Sequence, residues 1–225
     1  EGYTCEYVDA VKKGYSGVAI YSREAPVSVV KSLGFDTSDH EGRYLQFDYP
    51  GFSVASLYLP SGTTGDIRQV VKYDFLEQFQ VYLDGLKASG KPCIVCGDYN
   101  IAHKQIDIKN WRANQKHSGF LPEERAWLDE LFGARGFVDA FRVVNQEPEQ
   151  YTWWSHRGTA RAKNVNTINE LAQGPKLVGE IVKYFLGKRS ILELGPTLVY
   201  CFWHSDELIR NADLQISFTP ASYKE

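Results

Sequence analysis

Methionine is absent from the 225 residues, and the first residue is Glu1. The two facts together lead us to expect a sequence that continues a longer translation product. No apolar run approaches the roughly 18 residues of a membrane-spanning helix. The opening EGYTCEYVDA lacks the basic start and apolar middle of a signal peptide. No membrane partner and a cytoplasmic location are therefore expected. The net charge of −3 excludes bulk adhesion to nucleic acid or an anionic membrane as the basis of function and leaves only local basic surfaces. Cysteine is scarce: Cys5, Cys93, Cys96 and Cys201. Cys93 and Cys96 form a C-x-x-C, but positions three apart on a strand point to opposite faces. Buried structural thiols in a reducing compartment are expected rather than a zinc site.

What is present suffices for a folded domain, since 43% of the residues are hydrophobic and 14% aromatic. Strands are predicted over residues 16–21, 44–48 and 52–59, the last stopped by Pro60-Ser61-Gly62. Over 67–87 the residues Val71, Phe75, Leu76, Phe79, Tyr82, Leu83 and Leu86 recur at helical spacing. A strand over 93–96 follows, then a long polar segment, 98–119, with neither period. A second helix is predicted from Pro122, with Glu123 and Glu124 in its first turn and Ala126, Trp127, Leu128, Leu131 and Phe132 inward. Residues 150–154 read as a further strand. Strands broken by helices, some close enough to be antiparallel, predict a mixed-sheet α/β fold. After Val165 the composition shifts, with a helical pattern over 177–186 and a strand-like 191–194.

The stretch Gly97-Asp98-Tyr99-Asn100 ends an apolar strand. Glycine permits a tight exit, and Asp98 and Asn100 face one crevice if extended backbone persists. A carboxylate there can orient and deprotonate water, and an amide can donate to an oxygen that gains charge in the transition state. Hydrolysis of a phosphate ester would use both. The plainer alternative is that the two residues cap a turn.

Several segments in order resemble the exonuclease III and abasic-site endonuclease family of the endonuclease/exonuclease/phosphatase superfamily. They are Gly14-Tyr-Ser-Gly-Val-Ala19, Glu41-Gly-Arg43, Tyr58-Leu-Pro60, Val95-Cys-Gly-Asp-Tyr-Asn-Ile-Ala-His103 with Ile106-Asp107, Gly119-Phe-Leu-Pro-Glu-Glu-Arg125, Gly136-Phe-Val-Asp-Ala-Phe-Arg142, and Tyr151-Thr-Trp-Trp154 with Ala160-Arg-Ala-Lys-Asn-Val165. The resemblance implies a four-layer α/β sandwich, two mixed sheets flanked by helices, that hydrolyses double-stranded DNA at abasic sites or 3′ ends with Mg²⁺ or Mn²⁺. It implies that Asp98 activates the water and that Asn100 and Tyr58 contact the phosphate. In some descriptions of the family Asp98 and Asn100 instead bind a second metal. Lys72 is matched to a phosphate-contacting lysine, although a solvated lysine is the ordinary expectation on such a helix. Asn114 is matched to a backbone contact, and Trp153 to the pocket for a flipped abasic sugar, with His156 and Arg157 as candidate wedges. Around Asp107, the residues His103, Lys104, Lys109, Arg112, Lys116 and His117 suggest a locally basic surface. A monomer is expected.

The sequence also departs from the family pattern. The opening strand ending in Gln-Glu-x-Lys is not found, nor are Gly-Trp-Arg and the closing Ser-Asp-His-x-Pro. Asn166-Thr-Ile-Asn169 follows the last matched motif instead. His204-Ser205-Asp206 holds the right residue types in another order, and Ala212-Asp213-Leu-Gln-Ile216 echoes the family's aspartate strand faintly. Gly174 to Glu180 with Arg189 to Pro196 resembles the entry to a methyltransferase but is too short for that fold. The expected division is residues 1–165 as a partial catalytic domain and 166–225 as a divergent tail, fused, inserted or patching the sheet. The chain is then expected to carry half of a phosphodiesterase centre. The competing expectations are an inactive DNA-binding module and a phosphatase of the same superfamily acting on a small phosphate ester.

Overall fold

The computed structural model describes residues 2–153 and, as strand backbone, 199–203 and 214–218. These residues divide into two units. The first gathers residues 2–59, 77–99, 199–203 and 214–218, and it holds two four-stranded sheets. One sheet is fully antiparallel, in the order β1 (Thr4–Asp9), β2 (Gly17–Ser22), β8 (Leu214–Phe218), β7 (Val199–Trp203). Two strands of the tail thus pair with β2 and with each other. The second sheet runs β3 (Ser28–Val30), β4 (Tyr44–Asp48), β5 (Ser53–Tyr58), β6 (Cys93–Asp98). Its first two pairings are antiparallel and β5–β6 is parallel. A parallel pair needs a long crossover, and the helix α2 (Asp66–Ala88) supplies it. A short helix, α1 (Asp36–His40), precedes β4.

The sheets meet through Val18 and Ile20 of β2 and Leu45, Phe47 and Val54 of β4 and β5. Strand β4 is buried on both faces, because alternate residues serve different layers. Leu45 and Phe47 enter the inter-sheet core. Tyr44 and Gln46 face the helix, where the Tyr44 ring lies 5.9 Å from Phe79 and 5.3 Å from Tyr82, and both hydroxyls donate to the Gln46 amide oxygen. This explains why YLQFD carries no polar alternation.

The second unit gathers residues 60–76 and 100–153. It contains a 3₁₀ turn (Gln105–Asp107), α3 (Trp111–Asn114), α4 (Pro122–Phe132) and α5 (Ala140–Val144). Ala102, Ile108 and Phe120 form a small core with Trp111 packed against it. Arg142 holds the loops around it: its guanidinium donates to Asp107 at 2.6 Å and to the carbonyls of Ile106, Asn145, Glu147 and Gln150.

The α2 expectation is met within a residue at each end, and its inward residues Phe75, Leu76, Phe79 and Leu83 are buried. Other expectations are corrected. The aperiodic segment 98–119 holds a turn and a one-turn helix, both too short to display a period. In α4 the residue Ala126 is exposed, and Glu124 is buried instead. Residues 150–153 form only a single bridge at Trp153 rather than a strand. The expected elements at 177–186 and 191–194 lie outside the described residues. No described helix is long and apolar enough to cross a membrane.

Cys93 and Cys96 are free thiols, half-buried, whereas Cys5 is exposed. Burial, with the Asp48 carboxylate adding to it, pushes the Cys93 thiol up to about 11, while Lys91 opposes. At pH 8 the folded protein is therefore expected to be alkylated at Cys5 well before Cys93, as peptide mapping after a short iodoacetamide pulse would read.

Candidate active site

In the first unit the site is built from two strand ends. The register of β5 against β6 sets Tyr58 opposite Asp98, and the Leu59 N–H donates to the Asp98 carbonyl at 2.8 Å, closing the ladder just beyond them. Gly97 makes this approach possible. Its φ is +146°, and a Cβ there would fall on the Leu57 carbonyl oxygen. The Tyr58 phenol is held above its ordinary value by burial first and by the Asp98 carboxylate second, with Tyr15 and Glu41 adding and Arg43 opposing. At neutral pH it is a protonated donor beside a carboxylate. Arg43 lies behind it, 3% exposed, with its guanidinium 4.7 Å from the centre of the Tyr58 ring.

Asn100 belongs to the second unit, and its backbone is left-handed, φ 49°. The extended run ends at Asp98. The alternation that would throw Asp98 and Asn100 to one face therefore does not carry through, and Asn100 is placed by other means. Its carbonyl accepts from the Lys72 ammonium at 2.7 Å. Lys72 is not the solvated helix lysine that its position suggests, because it is fully buried and ion-paired to an equally buried Glu124 at 2.6 Å. Glu124 collects further donors: the Gln69 amide at 3.0 Å, the Ser118 hydroxyl at 3.3 Å, and the backbone N–H groups of Gly119 and Leu121 at 2.6 and 3.0 Å. A buried charge needs this degree of pairing. In the sequence Glu124 falls in the first turn of its helix with no partner in view. The start Pro122-Glu123-Glu124 is the available signal, but nothing linear connects Glu124 to Lys72.

Asn114 turns its amide onto the carbonyls of Asn110, at 3.1 Å, and Lys109. Asn110 takes the left-handed turn before α3. The basic loop is partly neutralised: Asp129 pairs with both His103 and Lys104, and Glu149 lies 4.0 Å from Lys109. Arg112, Lys116 and His117 remain exposed. Trp153 is half-buried beside a buried Tyr151. His156, Arg157 and His204-Ser205-Asp206 lie outside the described residues.

Among the described residues no three His, Cys, Asp or Glu side chains gather as a metal-ligating group. Asp98 contributes one carboxylate at the strand end, which does not by itself complete a divalent-ion shell.

A two-sheet α/β fold that presents a carboxylate and a phenol in register at neighbouring parallel strand ends belongs to the class whose ligand site lies outside the carboxyl ends of strands. The model of the Endonuclease/Exonuclease/phosphatase family matches residues 2–167. The chain belongs to that family, whose members are generally divalent-metal dependent. A DNA repair nuclease of Danio rerio is 40% identical over 157 residues, 68% of this chain and 49% of that protein. An exodeoxyribonuclease of Bacillus subtilis is 38% identical over 166 residues, 73% of this chain and 65% of that protein. The chain thus spans about half to two thirds of the length of these curated relatives. Among solved structures, an AP endonuclease from Archaeoglobus fulgidus shares the fold at a TM-score of 0.68 and 22% identity, over 96% of this chain and 79% of that one. The relatives bear out the resemblance read from the motifs.

Proposed function

We propose that this protein hydrolyses phosphodiesters of double-stranded DNA at abasic sites or 3′ ends, with Mg²⁺ or Mn²⁺ as the ion. The observation that carries the reading is the in-register pair Tyr58–Asp98, a protonated phenol beside a carboxylate at adjacent strand ends. In this reading Asp98 accepts the proton of the attacking water, and the Tyr58 hydroxyl donates to a phosphate oxygen as that oxygen gains charge. The family resemblance gives the Asn100 amide a phosphate contact, and Lys72 holds the Asn100 carbonyl. A bound divalent ion would neutralise charge on the phosphate oxygens. The names of the relatives support DNA as the substrate, one being a DNA repair nuclease and another an exodeoxyribonuclease.

The test is incubation of the chain with a labelled duplex carrying one abasic site, in Mg²⁺, resolved on denaturing and native gels. Strand cleavage is expected, reduced by about 10²–10⁴-fold in Asp98→Asn, the usual span for a general base. A duplex that is shifted but uncut would replace the enzyme with a DNA-binding module. Release of phosphate from a small ester with no cleavage of DNA would assign the site to a phosphatase instead.

A further inference from the structure

We infer that Arg43 is a positioning residue for Tyr58, fixing the phenol by gripping its ring and its main chain together. The inference rests on the reading of Tyr58 as a phosphate donor and deepens it. Four contacts converge. The Arg43 guanidinium carbon lies 4.7 Å from the centre of the Tyr58 ring, within cation–π range. Its Nη1 donates to the Tyr58 carbonyl at 3.0 Å. The Tyr58 N–H donates back to the Arg43 carbonyl at 2.9 Å. Finally, the Arg43 Nε donates to the Glu41 carboxylate at 2.7 Å, which locks the plane of the fork. The Arg43 side chain is 3% exposed, so the arrangement is internal to the fold and not a surface cation.

The segment Glu41-Gly-Arg43 is shaped for this. Gly42 has φ +58°, and a Cβ on it would stand 2.5 Å from the Asp9 carbonyl carbon and 2.6 Å from the Ala10 nitrogen. Only glycine lets the chain press against the end of β1 while Glu41 and Arg43 stay close enough to pair. The Arg43 fork can then hold a carboxylate and a carbonyl and still lie against a ring. Lysine offers a point charge and cannot do all three. The charged and titratable groups facing the phenol are Asp98 from β6, Arg43 and Glu41 from the turn before β4, and Tyr15.

Two readouts test the inference, one of them independent of activity. With ring-labelled tyrosine and Tyr58→Phe as the assignment control, the Tyr58 phenol is expected to titrate at higher pH in Arg43→Met than in the unaltered chain, because a nearby cation that favours the phenolate is gone. An unmoved midpoint in a folded Arg43→Met protein would overturn the coupling. If Arg43→Met does not fold, Tyr58→Leu reads the same contact from the other side. The Arg43 Nε–H resonance is expected to move downfield once the shielding ring is lost, and an unchanged resonance would overturn the inference. On abasic duplex, Arg43→Lys is expected to lower kcat by about 10–100-fold, as for a misplaced catalytic group, with KM unchanged. A lysine variant with full kcat would leave Arg43 a merely structural residue. If the unaltered chain leaves DNA uncut, the proposed function fails while the phenol titration still decides the Arg43–Tyr58 coupling.

Discussion

Gly97→Ala is expected to abolish the folded first unit, or to leave it so weakened that its amide spectrum collapses toward a narrow, unstructured range. Two effects add. The φ of +146° is closed to residues with a Cβ, which costs about 1–3 kcal/mol where it is tolerated at all. The larger effect is overlap. The new carbon would fall on the Leu57 carbonyl oxygen and lie 2.7 and 2.8 Å from the Leu57 carbon and nitrogen, all backbone atoms of the partner strand. No rotamer change relieves a backbone overlap, so β5 and β6 must part where Leu57 faces Gly97 and where Tyr58 faces Asp98 one residue later. A native-like spectrum with an unfolding midpoint near that of the parent chain would show that the strands need not approach this closely. The same experiment separates Gly97 from Gly90 and Gly65, whose positive φ stands in open space. Alanine at those two positions is expected to cost only backbone strain.

Gly97 also marks the limit of what is legible in the sequence. The strand, its glycine exit and the carboxylate after it are legible because they are contiguous. The helix α2 is legible because 23 residues give the 3.6-residue period room to repeat. Strand β1 was missed although it alternates, since its alternation runs between half-buried and exposed residues such as Glu6 and Tyr7, without an apolar face to announce it. Three-residue β3 has too little length for any pattern. The same distinction governs the site. Tyr58 and Asp98 each sit in a recognisable motif, and their pairing follows from a parallel register. Asn100 would share a face with Asp98 only if the strand ran on, but the strand stops two residues earlier and the Asn100 backbone is left-handed. Buried charges are hardest to read, because a lysine on a helix and a glutamate 52 residues later are each ordinary surface residues until the fold brings them together.

That pair supplies the second large effect. Lys72→Met is expected to destabilise the second unit by about 3–5 kcal/mol, the usual cost of removing one partner from a buried ion pair. Methionine fills much the same volume, so the loss is electrostatic rather than a cavity. Glu124 would keep its bonds from Gln69, Ser118, Gly119 and Leu121 but lose its countercharge at zero exposure. Asn100 would lose the donor on its carbonyl at the residue where the backbone is left-handed. Urea unfolding followed by the fluorescence of Trp111 and Trp127 would read the change, with the other tryptophans replaced by phenylalanine. The double variant Lys72→Met/Glu124→Leu is expected to recover part of the loss, because replacing both charges removes the unpaired carboxylate. It is not expected to restore the proposed cleavage of abasic DNA, since the Asn100 carbonyl is still left without the ammonium. Recovery of both stability and cleavage in the double variant would mean that the buried pair only holds the fold together. Recovery of stability alone would separate the two roles of Lys72, one toward Glu124 and the other toward the backbone of Asn100, two residues past β6.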